Sequence, residues 1–262
     1  MQPYEQNRYA TGAGAVRSEV QVDQGLRTFM LGVYNNMVLG LAISALVALG
    51  INKLATTTAD QAVAQFGKVN PIYLTAFGKA LYGSPLMWVV ALAPLAFIFF
   101  FSFRFDKMSA ASARTTFFAF AAVMGASLST LLIAYTGASV VQVFFITAAA
   151  FGSLSLWGYT TKRSLAGMGS FLMMGLVGII LASIVNLFFA SSAMQFGISI
   201  LGVLIFAGLT AWDTQKLKQM YLYGNFDQEA AAKVSIYGAL TLYLDFINMF
   251  QFLLALLGNR NN

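Results

Sequence analysis

The stretch Val234–Asn259, VSIYGALTLYLDFINMFQFLLALLGN, holds one charged side chain, Asp245, near its middle. Its length passes the about 20 apolar residues that a helix needs to cross a bilayer. A carboxylate at that depth costs roughly 2.5–3.5 kcal/mol on insertion scales, so its presence calls for a reason. On a helix, Tyr237, Thr241, Asp245 and Asn248 follow at spacings of four, four and three and share one face. The other faces carry Leu240, Leu242, Leu244, Phe246, Ile247 and Phe250, which suit lipid or packed helices. A polar stripe of this kind has to face the bundle interior or a water-filled cavity. The blander reading is that Asp245 only glues neighbouring helices together. Ser, Thr or Asn would do that with less desolvation.

The preceding apolar run, Ala193–Trp212, ends on a second carboxylate in Thr210-Ala-Trp-Asp213-Thr-Gln-Lys216. Asp213 reads equally well as an end-of-helix acid paired with Lys216 or Lys218, and as a partner of Asp245. It stands only a few residues inside its span, whereas Asp245 stands about half-way. Direct contact therefore requires one helix to slide along the other, or a crevice from the cytoplasm.

Charge-free intervals place the remaining spans. Residues 115–161 and 164–212 carry no charge and are each long enough for two helices; Tyr135-Thr-Gly-Ala-Ser139 and Ala190-Ser-Ser-Ala193 mark the turns. The sequence predicts an all-α membrane protein with spans at about 28–51, 86–103, 115–134, 140–161, 168–189, 193–213 and 235–257. A polar cytoplasmic arm, 1–27, precedes this domain of 28–258, and a short tail, 259–262, follows it. Gly12-Ala-Gly14 suggests that the arm is mobile, and the first apolar run is too long for a secretory signal peptide. The segment Asn52–Pro85 forms one long outer loop with a short surface helix. Small residues such as Gly175, Gly178 and Ala182, or Gly197 and Gly202, predict close helix packing.

Only 9% of the 262 residues are charged and 59% are hydrophobic, far from the about 25% charged typical of soluble domains. The chain has no Cys and no His. That removes thiol nucleophiles, thiolate metal sites, imidazole bases and zinc centres built on His, and points away from an enzyme. The net charge of +6 is spread through the loops and forms no nucleic-acid surface; the partner it suits is the lipid bilayer. With seven spans, the N-terminal side holds eleven Lys and Arg residues. The other side holds Lys53, Lys68, Lys79 and Arg260. This bias predicts a cytoplasmic N-terminus and an outside C-terminus.

Four motifs carry a resemblance. They are Ala239-Leu-Thr-Leu-Tyr-Leu-Asp245-Phe-Ile-Asn248-Met-Phe, Thr210-Ala-Trp-Asp213-Thr-Gln, Gly158-Tyr-Thr-Thr-Lys162-Arg163, and Ser102-Phe-Arg104 with Met108-Ser109. Over about residues 26–258 the chain resembles the Bax inhibitor family of multi-pass membrane proteins, in its bacterial branch. The resemblance implies six helices surrounding a central C-terminal seventh, in a bacterial inner membrane. It implies that Asp213 and Asp245 are a carboxylate pair acting as a pH-responsive latch, and the points of transient calcium contact. Arg104, Tyr237, Thr241 and Asn248 then line or support a path for calcium leaking down its gradient. No cofactor is implied beyond calcium as the permeant ion. Some bacterial members restrain a membrane-bound AAA protease, and eukaryotic members suppress cell death. The alternative function is therefore a non-conducting regulator of such a protease or of translocation machinery.

The latch has a physical basis. Two carboxylates close together in low dielectric cannot both ionise cheaply, so they hold one shared proton; its loss adds repulsion that drives the helices apart. The sequence departs from the family pattern at Trp212, where Tyr is common, and at Ser164, where an acid often follows Lys-Arg. Its second span has no acid to pair with Arg104, and Tyr221-Leu-Tyr-Gly-Asn225 lengthens the stretch between the aspartates. Intramembrane aspartyl proteases also set two aspartates on adjacent spans, but resemble Tyr-Asp and Gly-x-Gly-Asp. Here Trp212 precedes Asp213, and Leu242-Tyr-Leu244 precedes Asp245.

Overall fold

The computed structural model describes residues 6–66, 71–224 and 226–261, with side chains of the first helix from Gln24 onward. Residues 1–5 of the expected arm, and Lys68 of the outer loop, lie outside the described residues. Eight α-helices are formed among those described. Helix α1 covers Gln6–Ala55, so the backbone is helical through Gly12-Ala-Gly14, where the sequence suggests a loose arm. A two-stranded antiparallel hairpin follows, β1 (Ala64–Phe66) and β2 (Ile72–Leu74), with Ala64 opposite Leu74. The short α2 (Ala76–Tyr82) comes next, capped by Thr75 Oγ1, which accepts from Gly78 N at 3.0 Å. The outer loop is thus a folded lid with its own small core of Leu74, Leu81, Tyr82, Ala55 and Ile133.

The long helices are α3 (Leu86–Arg104), α4 (Ala110–Ala134), α5 (Gly137–Thr160), α6 (Ala166–Phe189), α7 (Ser192–Tyr223) and α8 (Gln228–Leu257). With α1 from Gln24, they make seven helices long and apolar enough to cross a membrane. Lipid offers no partner to a free N–H or C=O, so apolar runs of this length satisfy themselves as helices. The breaks fall on small polar residues, which supply the caps. Thr136 caps α5, Ser191 caps α7, and Asp227 caps α8 by accepting from Ala230 N at 2.7 Å. Ala190, just before Ser191, takes a left-handed conformation (φ 48°) that ends α6. The sixth span continues ten residues beyond Asp213, well past the end read from the sequence.

Half of the apolar stretch of α8 is buried, against 11% for α3 and α6. Its principal neighbours are α1, α4, α5 and α7, while α3 leans on α4 and α6 leans on α7. Helix α8 therefore has four principal neighbours where the resemblance led us to expect six. On the side of α3 and α6 it looks onto a cleft lined by Leu95, Leu176 and Ser183.

The tightest packing lies where α1, α4 and α8 meet. Tyr243 is fully buried and takes the edges of Phe117 and Phe120 at 5.7 and 5.9 Å. A Cβ on Gly125 would collide with the backbone of Ser44, so only glycine lets α4 approach α1 this closely. Ser44 Oγ joins the three helices. It donates to, or accepts from, Tyr243 Oη at 2.7 Å, and it lies 2.7 Å from the Ala121 carbonyl.

Candidate functional site

Asp213 on α7 and Asp245 on α8 are 7% and 5% exposed, and they line the same cavity. Ionised carboxylates offer only acceptors, so two of them in direct contact need a proton held in common. One oxygen of Asp245, Oδ2, is buried with no partner. Such a carboxyl is an expensive group to keep as packing glue, because an unpaired buried acceptor still bears its desolvation penalty.

Counted from the end of α7 and the start of α8, Asp245 lies about two turns, or ~10 Å, further along its helix than Asp213 does along its own, and both still line one cavity.

The lysines near Asp213 also make contacts of their own. Lys216 holds its ammonium 4.9 Å over the Trp212 ring, and Lys218 donates to the Tyr159 carbonyl at 2.9 Å. Gln215 anchors the same segment by donating to the Arg163 carbonyl at 2.8 Å and accepting from Leu165 N at 2.7 Å. The motif glycine Gly158 has a parallel use. A Cβ there would run into the carbonyl of Ala211, two residues before Asp213, so glycine sets the α5–α7 distance.

A cavity of about 600 Å³ lies against the pair, lined by both carboxyls and by Thr241, Asn248, Ser183 and Phe252 among others. Two of the four supporting residues expected from the sequence therefore sit with the pair. Thr241 Oγ1 donates to the Tyr237 carbonyl at 3.1 Å, and Asn248 Nδ2 donates to the Leu244 carbonyl at 2.8 Å. Tyr237 itself packs on Phe105 with ring centroids 5.9 Å apart, and Arg104 lies 5.4 Å over Phe100; neither lines this cavity.

The sequence reading missed a chain of hydroxyls next to the site. Tyr34 Oη lies 2.7 Å from Ser155 Oγ, which lies 2.9 Å from Thr214 Oγ1, joining α1, α5 and α7 beside Asp213. Among the described residues no cluster of three or more His, Cys, Asp or Glu side chains is assembled for a metal. Calcium takes six to eight oxygens in a stable site, so two carboxyls fit brief contact with a passing ion better than a resident one.

Fold and site together define a class: a polytopic helical membrane protein with two buried aspartates on its last two spans, lining one cavity. A family model described as "Inhibitor of apoptosis-promoting Bax1" matches residues 26–262, and the chain belongs to this Bax inhibitor family. A protein of Caulobacter vibrioides is 44% identical over 250 residues, covering 95% of this chain and 96% of its own. The inner membrane protein YbhL of Escherichia coli is 41% identical over 244 residues, with 93% and 96% covered. A membrane protein of Streptococcus pyogenes is 31% identical over 241 residues, with 92% and 96% covered.

Proposed function

We propose that the protein is a calcium leak path of a bacterial inner membrane, closed by the proton that Asp213 and Asp245 share. The observation that carries this reading is the pair of buried aspartates on adjacent spans that line one cavity. While the proton is present, the pair ties α7 to α8. When it leaves, two like charges face each other in low dielectric and repel, which biases the helices apart. The same event turns the pair into two acidic oxygen donors, the hard ligands that calcium prefers. Thr241 and Asn248 add oxygen atoms along the same cavity. The inner-membrane location of the Escherichia coli relative supports placing this chain in the same membrane.

The test is calcium flux from liposomes holding the purified full chain, measured across a pH series. Flux is expected to rise as the medium is made more alkaline, because proton loss is the opening step. Asp213→Asn and Asp245→Asn should each flatten that response, and the double variant should resemble the singles, since either change breaks the one pair. Wild-type flux that is absent at every pH would sink the channel reading and leave the non-conducting regulator in its place.

A further inference from the structure

A second large groove lies on the other side of the bundle. It has a volume of about 770 Å³ and runs between α1 and α5, which are not principal neighbours, with Phe246 of α8 in its floor. Along α1 its lining extends from Arg27 to Ala45. Eighteen residues of helix measure ~27 Å, close to the ~30 Å of a hydrocarbon core.

The two ends of the groove differ in chemistry. One end has Arg27, the only charged residue in the lining, and Tyr159. Lys218 joins this end, with its ammonium 5.0 Å from the centre of the Tyr159 ring. The other end presents only apolar surface, from Leu41, Ala45 and Phe144. Midway, the hydroxyls of Tyr34 and Ser155 bond each other at 2.7 Å, so they are already partnered within the protein.

We infer that this groove binds an anionic phospholipid, with its phosphate at Arg27 and Lys218 and an acyl chain lying between α1 and α5. Two cations at one end of an apolar groove match a phosphate joined to a hydrocarbon tail, and a guanidinium can meet phosphate oxygens through two parallel N–H donors. Basic pockets between membrane helices take anionic headgroups on the same grounds.

The test uses the full chain in nanodiscs of phosphatidylglycerol or phosphatidylcholine with identical acyl chains, with retained lipid counted by native mass spectrometry. Wild-type protein should retain phosphatidylglycerol in preference, with about fivefold for each cation engaged. Arg27→Gln should lower that preference by about fivefold while the protein still carries lipid. Gly152→Leu should remove retained lipid of both kinds. Gly152 lines the groove and a Cβ there meets nothing within 4 Å, so the larger side chain fills the groove without displacing protein. Gly178→Leu, whose Cβ also meets nothing but lies on α6, should leave retention unchanged. Equal retention of the two lipids by wild type, or a preference untouched by Arg27→Gln, overturns the site. So does a folded Gly152→Leu that retains phosphatidylglycerol as wild type does. None of these readouts depends on calcium flux.

Discussion

Asp245 and Tyr243 are two residues apart on α8, so a helix turns their side chains about 200° from each other. Tyr243 ties α8 to α1 and α4 through Ser44, and Asp245 faces the cavity it shares with Asp213 of α7. The first bond is dispensable in part, because Ser44 Oγ keeps the Gly40 and Ala121 carbonyls at 3.1 and 2.7 Å. Tyr243→Phe should therefore lower stability by about 0.6 kcal/mol and no more than ~1.7, the range for hydrogen bonds between membrane helices. Reversible unfolding in mixed micelles measures it. A loss of several kcal/mol would make that hydroxyl the principal fastener of the bundle. Asp245→Asn retains shape and hydrogen-bonding groups while removing the ionisable proton. Its protein should insert and extract in detergent as a monodisperse species, judged by gel filtration. Aggregation would show that the carboxyl itself holds the fold, and would restore the packing-glue reading.

At the scale of elements, glycine position decides which helices touch. Gly158 faces the Ala211 carbonyl, so Gly158→Ala should force α5 and α7 apart and cost about 1–3 kcal/mol as overpacking. Gly178→Ala meets open space and should stabilise by up to about 1 kcal/mol through helix propensity alone. Thermal unfolding of the two variants side by side distinguishes these signs. The contrast also shows how far the sequence could be read. Gly175 and Gly202 do meet side chains of neighbouring helices, Ile205 and Phe252, but Gly178 and Gly197 meet nothing, although all four share the small-residue pattern. Spacing reports a helix and its faces; it does not say which face has a neighbour. The polar stripe of α8 was legible because Thr241, Asp245 and Asn248 repeat with the helical period. That Asp213 would line the same cavity as Asp245 was not legible from depth, because loss of hydropathy at Lys216 and Lys218 imitates a helix end. The structure carries the helix on to Tyr223 by giving those ammonium groups an aromatic face and a carbonyl. Tyr34, Ser155 and Thr214 left no signal at all, being single hydroxyls within apolar runs and far apart in the chain.

For the whole molecule, the number of spans and the charges at their ends predict the placement of the termini. Seven helices long enough to cross, if all do, put the two ends of the chain on opposite faces. Arg104, Arg114, Lys162, Arg163, Lys216, Lys218 and Lys233 all flank the ends of spans on the face where α1 begins. Basic residues near span ends remain on the cytoplasmic side, so that face is expected to be the inner one. The opposite face carries the hairpin and α2. It also carries the tail, whose Asn259 carbonyl accepts from Thr136 N at 2.9 Å while Asn261 N donates to the Ala134 carbonyl at 2.9 Å. The tail is thereby clasped to the α4–α5 turn, which must lie on the same side of the membrane as the end of α8. A reporter fused before Met1 should read as cytoplasmic and one fused after Asn262 as periplasmic. A cysteine placed at Thr57, in the lid, should be labelled by a membrane-impermeant maleimide added to intact spheroplasts. One placed at Ser164 should be labelled only after lysis. Both fusions reading on one side would mean an even number of spans. Labelling of the Ser164 site in intact cells, with the lid protected, would invert the molecule and set the carboxyl pair nearer the outer face.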